Sequence, residues 1–396
     1  MSFDQTDLMS LSTHTDNPEP FYEWLREEEP LYYDEANELW AVSRYDDVRY
    51  VSEHTELFCS GKGVIPKLGT DIWPDEAMIN RDGREHTCQR TLVSTGFTPR
   101  HIVNWEVRIR DITRDLVNQI APRGEACLVQ DLARPLPYRL IAFMLGYPKD
   151  VGFDVLDWTD TFTHAGCGPD HVTEEVVEAF DKFTEFHEAL LLEKKASPGE
   201  ELISTWLNAE LDGERLSEDK LLFEHALLLV GGSETTRSAI AMGMQALLSH
   251  PDQMQWLCEN LDDEGIVSNA VDEMIRWSCP FVRMRRTATQ DVRMHDKTIR
   301  EDDEIIMLYP AANRDPRAFD NPQEFDIRRE FRVPHLSFGH GKHFCLGANL
   351  ARLETRVMVT ELLARLPDMK LAGEPLRSPS SFVRTLSSCP VTFGAQ

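Results

Sequence analysis

No run of this chain approaches the roughly eighteen uninterrupted apolar residues of a membrane span. The opening MSFDQTDLMSLSTHTDNPEP has neither a basic stretch nor an apolar one, so no secretory signal and no membrane anchor are expected. Positive charge is scarce: 41 Lys and Arg stand against 68 Asp and Glu, a formal net charge of −27. Nucleic acid and anionic lipid both call for a basic footprint, so neither is the expected partner. Paired cysteine spacings are also missing. The eight cysteines, at 59, 88, 127, 167, 258, 279, 345 and 389, include no CxxC. That argues against a disulfide framework or a structural zinc site, and for reduced thiols in a cytoplasm.

No repeat, low-complexity tract or Pro/Gly/Ser linker divides the 396 residues, of which 41% are hydrophobic. A chain of this length can bury a large core, and one α-rich domain with small β elements (α+β) is expected. Within it, residues 1–93 read as mixed. PEPFYEWLREEEP patterns as a short helix, and PLYYDEANELWAVS as two strands around a turn at Glu35–Asn37. Residues 94–280 are mainly helical: RIRDITRDLVNQI and EEVVEAFDKFTEFHEALLLEKK repeat apolar residues every three or four positions. Residues 281–396 mix short strands (DDEIIMLY, FVRTL, CPVTF) with loops and the helix NLARLETRVMVTELLARL.

The longest pattern is LSEDKLLFEHALLLVGGSETTRSAIAMGMQALLSHP. Ser217 is a plausible N-cap, with Glu218 and Asp219 suiting the positive end of the dipole, and the helix should stop before Pro251. About thirty residues at ~1.5 Å each give a rod of roughly 45 Å, apolar on nearly every face and therefore buried. Its polar interruption is Gly231-Gly232-Ser233-Glu234-Thr235-Thr236. Mid-helix glycines cost ~1 kcal/mol each relative to alanine. Two of them beside an acid and an alcohol could open a notch with a proton path, or could allow close helix packing. Further on, Glu273 and Arg276 in VDEMIRW lie three apart on a helix, a spacing worth ~0.2–0.5 kcal/mol at a surface.

The most informative stretch is Phe338–Gly347, FGHGKHFCLG. Cys345 falls at or just before a helix start, where backbone N–H groups and the dipole favour a thiolate. Gly339 and Gly341 permit positive φ, so the loop can close around the sulfur. Gly347 removes a side chain where something flat could lie, Phe338 can pack beside the sulfur, and His343 can donate to a nearby anion. A buried structural cysteine would explain none of the three glycines. A lone thiolate in such a nest suits a soft metal with one protein bond, and haem iron fits.

This segment resembles the haem-binding loop F-G-x-G-x-H-x-C-x-G of the cytochrome P450 family at every fixed position. The resemblance covers essentially the whole chain, as one domain with haem between the long central helix and the cysteine loop. PLPYRLIAFMLGYP is similar to the family's helix ending in L-G-x-P, GGSETT to its oxygen-activating groove, EMIR to its E-x-x-R helix, and PQEFDIRR to its P-x-x-F-D-x-x-R segment. It implies haem b ligated through iron by Cys345, Thr235 holding the oxygen being activated, Glu234 relaying protons, and Gly231 leaving room. Glu273 and Arg276, with Arg329, would lock the fold. His86, Arg90, Arg286 and His343 would meet the propionates, and Phe338, Gly339 and Gly347 would border the cofactor. Asp82-Gly83-Arg84 replaces the family's frequent Asp-Pro-Pro, and Glu234 its commoner Asp.

The activity implied is hydroxylation of a hydrophobic small molecule by dioxygen, leaning to a sterol side chain, branched lipid or terpenoid. The alternatives are a peroxygenase, which usually lacks the acid–alcohol pair, or a haem sensor, which has no use for a proton relay. Cavity walls are expected from residues 63–79, Leu227–Val230, 280–284 and the turn near Val383–Leu386, with Arg283 a candidate contact for a substrate oxygen. Electrons would come from a ferredoxin or flavodoxin, with Lys342 a candidate docking contact.

Overall fold

A computed structural model of the chain describes residues 3, 5–69, 76–97, 99–148 and 151–396. It is mainly helical with small sheets, as expected. The short helix forms at Glu19–Glu27 behind Pro18, and the strands Leu31–Asp34 and Leu39–Val42 pair antiparallel with Tyr33 opposite Trp40. Those strands sit at the edge of a five-stranded sheet that continues through Glu304–Leu308, Arg283–Ala288 and Phe58–Cys59. Leu39–Val42 runs parallel to Glu304–Leu308, so the first and last thirds of the chain share one sheet. This explains why no linker separates them.

The central pattern folds as one line broken in the middle. Ser217 caps it, its hydroxyl accepting from the Lys220 N–H at 3.2 Å. The α-helix Glu218–Leu229 passes into a π-turn at Val230–Glu234 and resumes as Thr235–Leu248. The continuous rod expected from the sequence is therefore corrected at its polar interruption, where a π-turn widens the coil and frees backbone groups. The two glycines divide the two roles open to them. A Cβ on Gly232 would come within 2.8 Å of Ile141 Cδ1, so this glycine serves packing against the helix Pro135–Leu145. A Cβ on Gly231 would meet nothing within 4 Å, because that side opens on a cavity.

The Glu273 helix, Glu264–Ser278, packs against Thr235–Leu248. Its Glu273 and Arg276 are fully buried, which a three-residue spacing could not announce. Glu273 accepts from Arg276 Nε at 2.7 Å and Nη2 at 2.8 Å, and from Arg329 Nε at 3.0 Å. Arg276 Nη1 also donates to the Asn313 carbonyl at 2.8 Å, and Asn313 Oδ1 accepts from Leu336 N–H at 2.6 Å. A buried ion pair is kept only when every lone pair is used, and here the surplus donors fasten the start of the cysteine loop. Among the described residues no helix is long and apolar enough to cross a membrane.

Candidate active site

The cysteine loop closes on itself before its helix begins. Cys345 N–H donates to the Phe338 carbonyl at 2.9 Å, and Phe344 N–H to that of Gly341 at 3.1 Å. Gly339 and Gly341 both take φ of +69°. At Gly341 a Cβ would also lie 2.8 Å from the Ser52 carbonyl, so only glycine lets the loop pass the helix Tyr45–Glu53. The helix Ala348–Arg365 starts three residues past Cys345, with Gly347 at its N-cap. A Cβ there would stand 4.0 Å from the Cys345 sulfur, on the side that opens to the cavity.

Cys345 lines this cavity and keeps exposed surface. Burial pushes its thiol up, more than the Gly347 N–H, Arg90 and Arg352 pull it down. The Gly347 N–H acts in the expected direction, toward the thiolate. Desolvation outweighs the N–H groups, and a cation bound at the sulfur is what would deprotonate it.

The cavity, about 320 Å³, lies between Cys345 and the π-turn. Gly231, Thr235, Thr236 and Ala239 form its far wall. The Thr235 hydroxyl donates to the Gly231 carbonyl at 2.5 Å, the back-bond that bends a helix axis. Phe338, Gly339 and Gly347 border the near side.

His86, Arg90, Arg286 and His343 all reach the same cavity. His86 and Arg90 share a face of the helix Gly83–Ser94, and the two imidazoles lie 4.1 Å apart between ring centres. Arg90 Nη2 donates to the Phe344 carbonyl at 2.6 Å and Arg286 Nη1 to that of Arg285 at 2.8 Å. His343 Nε2 meets Ser60 Oγ at 3.2 Å. Burial and the neighbouring cations hold both imidazoles neutral, His343 down to about 2. Among the described residues the buried His86 Nε2 and Arg286 Nε have no hydrogen-bond partner. Two guanidinium groups and orphaned ring and guanidinium nitrogens beside a thiol fit a flat, metal-centred, dianionic group. Asp82, where the chain departs from the family's frequent Asp-Pro-Pro, accepts from the Ser60 and Gly61 N–H groups at 2.9 and 2.6 Å, so it holds the loop that meets His343.

Glu234 is not brought to the cavity. Its carboxylate is buried and paired with Arg237, whose Nη1 also meets Asp160 Oδ2 at 3.1 Å. Burial raises the Glu234 carboxyl, against the pull of Arg237. Arg283 is a correction as well. It is fully buried, does not line the cavity, and bonds to Leu8, Cys167 and Ser381.

The remaining walls are mainly apolar: Val64, Ile65, Met78 and Ile79, then Leu227, Leu228 and Val230, then Phe281 and Met284. Residues 70–75 of the expected 63–79 wall lie outside the described residues. In the C-terminal turn the lining residue is Phe382, one position before the expected Val383–Leu386, because Val383 pairs back to Phe281 in a β-bridge. Sequence reasoning missed Phe162, Thr163, Ala165, Gly166, Phe180 and Phe223, and also Glu354. Among the described residues Glu354 Oε2 is buried without a partner, and burial alone raises its carboxyl well above the usual range. The signal was there: Gly347, Leu350, Ala351 and Glu354 are one helix face.

A family model described as "Cytochrome P450" matches residues 127–367. The steroid C26-monooxygenase of Mycolicibacterium smegmatis is 36% identical over 380 residues, covering 94% of this chain and 92% of that one. The methyl-branched lipid omega-hydroxylase of Mycobacterium tuberculosis is 37% identical over 375 residues, covering 90% and 85%. Among solved structures, Mycobacterium marinum cytochrome P450 CYP268A2 in complex with pseudoionone superposes with a TM-score of 0.88 at 32% identity, covering 97% and 96%. The fold and the motifs define a haem-dependent oxidoreductase. The chain belongs to the cytochrome P450 family and is a monooxygenase of that family.

Proposed function

We propose that this monooxygenase hydroxylates an extended, branched apolar molecule, a sterol side chain, a branched lipid or a terpenoid, in the cytoplasm with electrons from a ferredoxin-type donor. The observation that carries the reading is one cavity with Cys345 on one wall, the Thr235 turn opposite, and mostly aromatic and aliphatic side chains away from the cationic corner. Haem b, held without the thioether links that a C-x-x-C-H run would make, supplies the iron at which dioxygen is activated. Cys345 would be its ligand. Arg90, Arg286, His86 and His343 would take its carboxylates, while Phe338, Gly339 and Gly347 leave space for its plane.

Gly231 would keep a side chain out of the oxygen's place. The Thr235 hydroxyl, released from the Gly231 carbonyl, would pass its proton there, and Glu234, once its carboxyl leaves Arg237, would return a proton to the Thr235 oxygen. A carboxyl raised by burial is suited to give up a proton near neutral pH. The named activities of the two mycobacterial relatives support the substrate lean. The test is titration of the ferric protein with sterols, branched fatty acids, terpenoids and small aromatic acids, followed in the Soret band. A shift to high spin with the first three supports the reading. A shift confined to small aromatic acids overturns it.

A further inference from the structure

Arg283 opens the strand Arg283–Ala288, but its guanidinium turns into the interior and is fully buried. Three segments far apart in sequence converge on it. It donates to the Leu8 carbonyl, to the Cys167 carbonyl at 3.2 Å and to Ser381 Oγ at 2.9 Å, while its Nε has no acceptor among the described residues. These acceptors are neutral, and among the described residues no carboxylate forms an ion pair with it. A buried charge held by neutral acceptors costs more than an apolar side chain of the same volume would. A stability role alone therefore does not explain an arginine here.

The neighbours of the gripped groups explain it. Gly166 precedes Cys167, Phe382 follows Ser381, and Met284 follows Arg283 itself, and all three line the cavity. Gly166 and Phe382 meet in a tight seam: a Cβ on Gly166 would lie 2.1 Å from Phe382 Cδ1. The same segments are fastened around the seam. Cys167 Sγ meets Ser380 Oγ at 3.5 Å, and Val282 N–H donates to the Phe382 carbonyl at 2.8 Å. From the N-terminal segment, Leu11 packs against the cluster that Cys167, Phe382 and Val383 form.

We propose that Arg283 is a positioning residue that pins the N-terminal segment, the Thr163–Cys167 turn and the Ser380–Val383 turn together. The Gly166–Phe382 seam then closes one wall of the substrate cavity and sets the length of molecule that fits. This rests on the cavity being the substrate chamber, as argued above. A single guanidinium suits the task because its donors fan out in one plane toward several carbonyls.

The test uses the intact holoprotein and three variants, Arg283→Met, Ser381→Ala and Gly166→Ala. Amide hydrogen exchange reads the joint, and Soret titration with straight-chain fatty acids of graded length reads the wall. Ser381→Ala and Arg283→Met should speed exchange by about tenfold or more in 8–15, 163–171 and 380–386 together, as expected for loss of a bond to a charged group. The Glu264–Ser278 helix should be unaffected, and the dependence of Kd on chain length should flatten. Gly166→Ala should displace Phe382 and move the preferred length without speeding exchange in 8–15.

Faster exchange confined to the mutated segment in Ser381→Ala, a substitution mild enough to fold, overturns the proposal. So does an unchanged length preference in all three variants. If no fatty acid shifts the parent's Soret band, the substrate reading is what fails, and the three-segment exchange pattern still decides the role of Arg283.

Discussion

Glu234 and Thr235 are adjacent on the central helix and face different partners: the carboxylate is bound to Arg237, one turn further on, while the hydroxyl is bound back to Gly231. Arg237 is itself shared with Asp160, and Asp160 with Arg134 at 3.2 Å. The acid and the alcohol therefore form a relay only when the carboxyl leaves this network. That separation makes their losses distinguishable. Glu234→Gln should slow product formation by ~10², with consumption of reductant falling in parallel. Thr235→Ala should keep consuming reductant but release it as peroxide. Product and peroxide per reductant oxidised check both, and full coupling in Thr235→Ala would remove it from the assigned role.

The cationic corner predicts how the cofactor is held. Arg286 is buried on the strand beside the cavity, and among the described residues its Nε has no partner, which leaves a donor for the haem carboxylates proposed there. Arg286→Leu should raise the rate of haem loss to an acceptor protein by roughly tenfold or more, the usual worth of a charge-assisted bond. Asp82→Ala should act more weakly, since it acts through Ser60 on His343. Equal haem loss rates in Arg286→Leu and the parent would end the assignment of the propionates to this corner.

The cysteine loop was legible because its demands are local. Glycines at fixed offsets answer the two positive φ values and the close pass to Ser52. The Glu273–Arg276 pair was legible as a pair, but its burial depends on Asn313, Pro322 and Arg329, which lie 37, 46 and 56 residues away from their partners. Arg283 misled for the same reason: its acceptors are 275, 116 and 98 residues distant, and no window of sequence contains them. The polar interruption marked where the central helix breaks but not that it breaks as a π-turn. Composition locates strain more readily than it describes the backbone that relieves it. Glu354 shows the opposite case, a residue whose helical spacing from Gly347 was present and went unused.

Electron delivery should depend on charge near the cysteine loop. Lys342 is exposed in the short turn Gly341–His343, and among the described residues its ammonium reaches only Thr55 Oγ1, at 3.4 Å. Lys342→Glu should slow first-electron transfer from an acidic ferredoxin by about three- to tenfold at low salt, with the difference shrinking as salt screens it. Stopped-flow reduction of the ferric, ligand-bound protein measures this. An unchanged rate would exclude Lys342 from the docking face.

Acid stability offers a prediction with a defined sign. Burial lowers His14 to about 3, helped by Arg283 and Arg384, and lowers His187 to about 4. Both therefore stay neutral in the fold. The His14 contacts fit that state: Nε2–H donates to the Leu8 carbonyl at 2.9 Å, leaving Nδ1 to accept from Tyr22 Oη at 2.9 Å. The unfolded chain protonates each ring near 6.5, so the two states differ only below that pH. Stability is then lost as pH falls from about 6.5 toward the folded values, at about 1.4 kcal/mol per unit per group. Together the pair costs on the order of 4 kcal/mol by pH 5. Glu234 and Glu354, raised by burial, act in the opposite sense: the fold keeps protons that the unfolded chain releases, so their contribution falls as pH rises past the ordinary carboxylate range. The parent's profile is the sum of the two, and single variants separate them. His14→Gln can repeat both contacts without titrating, so the slope of unfolding free energy between pH 5 and 6.5 should drop by about one proton. His187→Asn should do likewise, through the bond of 2.9 Å that His187 Nδ1 makes to His225. Slopes equal to the parent's in both variants would show that these rings are charged in the fold, and that the buried contacts drawn for them are wrong.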